Sequence, residues 1–203
     1  MGVLSGELFD AIEVDAVRTG NHKRAAVRMS RLAEQASDEG ISPAEAHMRA
    51  GEQWLLAGEL AEAADEFRSA LALGGATFAD PRIQLARALF GLGARDEATA
   101  IIGQLADEGR TDPRTCDMVA ELLVEQGDLR AALDWATAGV DACVRTGSEE
   151  CREELPLLLR LRYRLRLDLG LGEDDYDRML DRGPARRLPG QLHHPGQFHP
   201  GQQ

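Results

Sequence analysis

The stretch HMRAGEQWLLAGELAEAADEFRSA, residues 47–70, decides the fold. Its small residues Ala50, Gly51, Ala63 and Ala70 are interleaved with the large Trp54 and Phe67, and Gly58 divides it into two helix-length halves. Ala and Leu dominate the apolar set, and both are strong helix formers. Working outward, Gly58 recurs as Gly93 and Gly127, 35 and 34 residues further on. Each is followed five residues later by an alanine, Ala63, Ala98 and Ala132, and Gly58 and Gly127 are followed after two residues by Leu60 and Leu129. A period close to 34 residues points to a chain of helical hairpins. Glycine tolerates the left-handed conformation that ends the first helix, and alanine lets the second helix approach closely.

Helix starts fall on the same period. Ser42-Pro43, Asp80-Pro81 and Asp112-Pro113 each place a capping side chain before a proline, the residue favoured in a first helical turn. Ser42 with Glu45 has the spacing of a capping box.

These columns resemble the tetratricopeptide repeat, whose pattern is W-x2-L-G-x2-Y followed by A-x3-F. His47-x2-Ala50-Gly51-x2-Trp54, then Gly58 and Ala63-x3-Phe67, carries most of it. Arg82-x2-Leu85-Ala86-x2-Leu89 with Ala98-x3-Ile102 is looser, as is Cys116-x2-Val119-Ala120-x2-Leu123 with Ala132-x3-Ala136. Upstream, Phe9-x2-Ile12, Gly20 and Ala25-x3-Met29 make a degenerate unit with Glu13 where a small residue is expected. Downstream, Leu158, Leu161, Leu165 and Leu169 share a helix face and predict a capping hairpin. The resemblance implies an all-α, right-handed α-solenoid of about five hairpins over 1–182, with units near 6–40, 42–76, 79–111, 113–147 and 150–182. Beyond it, 183–203 repeats Pro-Gly-Gln around His193, His194 and His199 and reads as a disordered tail.

Composition agrees with such a fold and narrows its partners. Hydrophobic residues make up 43% and charged residues 29%, enough to build a core. The net charge of −12 repels phosphate backbones and anionic lipids, so nucleic acid is an unfavoured partner. No segment has the length and apolarity of a membrane span, and the amino terminus lacks a leader pattern, so a cytoplasmic location is expected. Gly2 is no myristoylation site on the usual pattern, since Gly6 stands where Ser or Thr is needed. Lys23 is the single lysine beside many arginines, which suggests a GC-rich, bacterial source. Cys116, Cys143 and Cys151 lack C-x-x-C spacing and read as reduced, partly buried thiols rather than a disulfide framework or zinc site.

In the family, the first helix of each hairpin lines a concave groove that receives a peptide or partner helix. On that resemblance Leu55, Phe90 and Val124 form an apolar ladder, extended by Met48 and Ile83 two turns earlier. Glu52, Arg87 and Glu121 make one charged row, and Arg49 with Gln84 another. The groove is expected to be mixed in sign, with its arginines orienting a partner segment of alternating apolar and charged groups. Members that grip a terminal carboxylate use lysines and asparagines that the corresponding positions here lack. A groove filled by the chain itself or buried in a homodimer is the competing arrangement.

No catalytic motif accompanies the repeats: G-x-S-x-G, a phosphate-binding glycine loop and H-E-x-x-H are all missing. His22 and His47 read as packed or capping imidazoles, and Glu149-Glu150 and Asp174-Asp175 as solvated charges. The expectation is a non-catalytic adaptor or scaffold without cofactor or metal. The alternatives are a regulatory module binding nucleic acid or a small ligand, and a metal-binding accessory protein acting through the tail histidines. Arg160, Arg162, Arg164 and Arg166 fall in two i,i+4 pairs on different helix faces instead of one basic stripe, paired with Glu153, Glu154 and Asp168 on a solvated helix.

Overall fold

A computed structural model describes residues 5–180 apart from 38, 110, 111, 148 and 150; the tail with His193, His194 and His199 lies outside the described residues. Among the described residues the secondary structure is helical throughout. The helices are α1 (Gly6–Thr19), α2 (His22–Ala33), α3 (Pro43–Leu56), α4 (Leu60–Leu73), α5 (Pro81–Gly91), α6 (Arg95–Asp107), α7 (Pro113–Glu125), α8 (Leu129–Thr146), α9 (Cys151–Asp168) and α10 (Asp177–Leu180). They pack as antiparallel hairpins, and α1, α3, α5, α7 and α9 also touch in succession, which makes an all-α solenoid of helical hairpins. The hairpin α7–α8 meets its predecessor chiefly through α5.

The starts and stops have local causes. Ser42 Oγ accepts from Glu45 N–H at 3.1 Å, Asp80 from Arg82 N–H at 2.9 Å and Asp112 from Thr115 N–H at 2.8 Å. The Ser42–Glu45 pair makes only half of a capping box, because the Glu45 carboxylate accepts from Phe78 N–H at 2.9 Å in the following loop and ties two hairpins together. Gly58, Gly93 and Gly127 have φ of 77°, 80° and 79°, a region that L residues avoid, and each turns a first helix into its second.

Behind the turns, Ala63, Ala98 and Ala132 are fully buried where the helices cross. The crossing is closest at Gly51, where an added Cβ would lie 2.5 Å from the buried Phe67 ring. At the repeat positions of Gly51 and Phe67 the next two hairpins hold the buried Ala86 and the smaller Ile102, and the buried Ala120 and Ala136, so small and large residues are apportioned differently in each unit. One core cluster runs from Ala26 to Leu165, and a second, around Phe9, Met29 and Ile41, seats α1 and α2 against α3.

The carboxyl-terminal end departs from the repeat. Here α8 and α9 each run 18 residues, while α10 is a single turn held by charge. Arg162 is only 4% exposed and donates to Asp174 at 3.0 Å, Asp177 at 3.1 Å and Thr137 at 3.1 Å; Arg166 donates to Asp177 at 2.9 Å. The expected solvated helix is therefore corrected for Arg162 and Arg166, while Arg160 and Arg164 are exposed as expected. Arg162 and Arg166 are satisfied by the loop and turn that follow, and of the expected partners only Asp168 pairs, with Arg164 at 3.8 Å. Asp174 is likewise no solvated charge: its hydrogen bond to Arg162 holds its carboxyl down at about 2.

Candidate functional site

The first helices, with the start of α4, line an open cavity of about 690 Å³ on the face shared by α1, α3, α5 and α7. Val17 of α1, Leu55 and Leu56 of α3 and Leu60 at the start of α4 give it apolar walls, and Val17 and Leu56 are 72% and 61% exposed. Gly91, the last residue of α5, stands where α3 has Leu56 and α7 has Glu125. A Cβ there would meet Leu60 Cδ1 at 2.6 Å, so the missing side chain keeps the cavity open beside Leu60.

Of the residues expected to line a groove, Glu52, Leu55, Gln84 and Arg87 lie together on this cavity. Phe90 and Val124 do not line it; both are half-buried against the core, and Phe90 has the Arg95 guanidinium 5.7 Å from its ring centre. Glu121 is exposed outside the cavity. Met48 and Ile83, placed on the ladder from sequence, are corrected: at 2% and 0% exposure both belong to the interior, because successive first helices close over that column. A residue further round the helix than the expected ladder, the column Leu56, Gly91 and Glu125 borders the cavity. The adjacency of Leu55 and Leu56 is the sequence signal that two columns compete for this face.

Electrostatics shift the expected mixed sign toward the acidic side. Arg49 donates to Glu13 at 2.7 and 2.6 Å and to Asp10 at 2.6 Å, and its side chain is only 14% exposed, so it fastens α3 to α1 instead of reaching for a partner. Arg87 reaches Glu125 at 3.4 Å, which joins α5 to α7, and its Nε is buried without an acceptor. Among the described residues Glu52 makes no hydrogen bond or ion pair of this kind. Burial, with Glu13 and Glu45 adding repulsion against the weaker opposing pull of Arg49, raises its carboxyl from 4.5 to about 7. Around the cavity three carboxylates, Glu13, Glu52 and Glu125, face the single cation Arg87. Further along, burial and the neighbours Glu121 and Glu154 raise Asp117 to about 6, so the negative character continues on α7.

Other chemistry-bearing groups are engaged in structure. His22 Nδ1 lies 3.0 Å from Gln53 Oε1, and His47 Nδ1 lies 2.6 Å from Glu66 Oε2 in a half-buried pair, consistent with packed imidazoles. Trp54 donates its indole N–H to Ser30 at 3.0 Å. A second depression, about 490 Å³, lies along the loop before α5, where Arg114 stacks 3.8 Å from the exposed Phe78 ring. No described helix is long and apolar enough to cross a membrane.

Comparison with known families agrees with this architecture. A family model described as tetratricopeptide repeat matches residues 55–115, from the end of α3 through α6 into the start of α7. No curated protein matches the chain.

Proposed function

Since the chain carries tetratricopeptide repeats, a family whose members generally mediate protein–protein interaction, we propose that it is a non-catalytic adaptor whose α1/α3/α5/α7 face grips a partner segment. The observation that supports this reading is a large open cavity whose walls pair exposed apolar side chains with an uncompensated carboxylate. Val17, Leu55 and Leu56 supply area that water solvates poorly. Glu52 supplies a carboxylate whose neighbour Arg49 is already held by Glu13 and Asp10, and whose facing cation across the cavity, Arg87, is paired with Glu125. The segment that fits carries a lysine or arginine beside apolar side chains: its cation meets Glu52 and its apolar groups cover Leu56 and Val17. Charge complementarity of this kind sets specificity and encounter rate, and the buried apolar area sets lifetime.

This refines the expectation from sequence, in which arginines of the groove oriented the partner. Arg49 and Arg87 make contacts between hairpins, and the recognising charge in our reading is acidic. Arg162 and Arg166, the arginines that a nucleic-acid reading would use, are occupied by Asp174 and Asp177.

Affinity capture from host extract tests the proposal, using the wild-type chain beside Leu56→Glu and Glu52→Lys variants whose helicity and melting are verified. A partner retained by wild type and lost from both variants is the expected result. Identical captured sets from all three chains would remove the groove from consideration.

A further inference from the structure

The carboxyl-terminal end holds a thiol cluster that the groove does not use. Cys143 lies in the last turn of α8, and Cys151 is the first residue of α9. Gly147, which caps α8, adopts a left-handed conformation with φ of 57°, and its N–H donates to Cys143 O at 2.9 Å. The packing of α9 on α8 brings the Cys143 and Cys151 thiols into hydrogen-bonding contact. Thr146 Oγ1, at the end of α8, lies 3.3 Å from Cys151 Sγ. Both cysteines are buried, Cys143 completely and Cys151 with 5% exposure. Cys116 approaches from α7, where its Cβ lies 2.9 Å from the point that a side chain on Gly139 would occupy. Sequence spacing concealed this arrangement, because the return of α9 onto α8, and not a C-x-x-C motif, creates the pair.

We propose that Cys143 and Cys151 form an oxidation site, closing to an intramolecular disulfide when the chain meets a peroxide. The order of events follows from burial. Cys151, at the start of α9, is the less buried of the two residues, at 5% against 0% for Cys143, so its sulfur is assigned the attack on the peroxide oxygen. The O–O bond breaks, Cys151 becomes a sulfenic acid, and one water leaves. Cys143 is held as the neutral thiol: burial first, and then the Cys151 hydrogen bond, push it up to about 12, which makes it a poor first nucleophile but a well-placed second one. Its sulfur displaces the sulfenic oxygen as a second water, the S–S bond forms, and the two thiol protons end in the waters. Two electrons pass from the sulfurs to the peroxide. The product ties the last turn of α8 to the first turn of α9, next to the helix that carries Arg162 and Arg166. Cys116, on α7, stays reduced.

The full chain is treated with hydrogen peroxide, denatured in an alkylating reagent, and read by intact mass and tryptic mapping. Cleavage after Arg145 and Arg152 separates the two cysteines, so the bond appears as the peptide ending at Arg145 joined to the peptide of residues 146–152. The expected result is a monomer lighter by two hydrogens, with one alkylatable thiol, reversed by dithiothreitol and unchanged in Cys116→Ser. Cys143→Ser should lose the bond and leave Cys151 to proceed to higher oxides. The proposal is overturned if the joined peptides contain Cys116, if cystine forms only between chains, or if all three thiols alkylate after peroxide that oxidises glutathione completely.

Discussion

Replacing Gly51 with alanine would set a methyl carbon 2.5, 2.8 and 2.9 Å from Cε1, Cζ and Cδ1 of Phe67. Carbon atoms in contact sit about 3.5–4.0 Å apart, so the ring has to retreat by roughly 1 Å. Phe67 is fully buried, and its neighbours must move with it. Overpacking of this kind costs about 1–3 kcal/mol, while exchanging glycine for alanine inside a helix returns up to about 1 kcal/mol. The net expectation for Gly51→Ala is a loss on the order of 1–2 kcal/mol, or roughly 2–8 °C in melting temperature for a chain of this size. The third hairpin supplies the control, because the same two repeat positions there hold the buried Ala86 and Ile102. Phe67→Ile alone opens a void, but together with Gly51→Ala it reproduces that pairing, so the double variant should be more stable than the sum of the single losses by about 1 kcal/mol. Thermal and urea unfolding of the four chains measure the coupling. Additive losses, or a Gly51→Ala chain that melts higher than wild type, would refute the claim that ring and glycine share one volume.

Glu52→Gln should stabilise the chain at pH 8. The raised Glu52 carboxyl takes up a proton in the folded chain between about 7 and its ordinary 4.5, so native stability rises as pH falls through that window and the variant's advantage should vanish by its lower edge in melts run across pH. The same substitution is expected to weaken partner binding at pH 8, a trade of stability against recognition read by calorimetric titration. Asp174 carries the opposite sign: lowered from 3.8 to about 2, it contributes stability above its unfolded value that is lost as pH falls toward 2, so Asp174→Asn should flatten that part of the acid transition seen by circular dichroism. Arg162→Met leaves the buried Asp177 with Arg166 as its remaining ion-pair partner and should destabilise by about 3 kcal/mol or more in chemical denaturation. Gly91→Met adds a side chain where Leu60 borders the cavity, at a helical position without positive φ, and should reduce partner affinity at least tenfold with helicity retained.

Much of the fold was legible because its signals are local. A capping side chain before proline, and a glycine forced to positive φ, act within a few residues of themselves, and Ser42, Asp80, Asp112, Gly58, Gly93 and Gly127 do in the structure what the sequence implied. The candidate site was less legible because it depends on how successive hairpins rotate. One helical residue is a turn of about 100°, so a small difference in packing angle moves the open column from Phe90 to Gly91 and sinks Met48 and Ile83 into the core. Long side chains add a second ambiguity. Arg49 reaches from α3 to carboxylates on α1, and Arg162 reaches across to Asp174 and Asp177, so charges that look free in sequence are consumed by partners 12 to 39 residues away. Glu45 shows the same reach, since it leaves its own capping box for Phe78 N–H.

The most direct measurement places a photo-crosslinking amino acid at Leu56 in one chain and at the exposed Ala72 of α4 in another, and maps the crosslinked partner peptides by mass spectrometry. The proposed groove requires capture from position 56 and little from position 72, with the captured peptide carrying lysine or arginine next to apolar residues. Equal capture from both positions, or an acidic peptide at position 56, would contradict it.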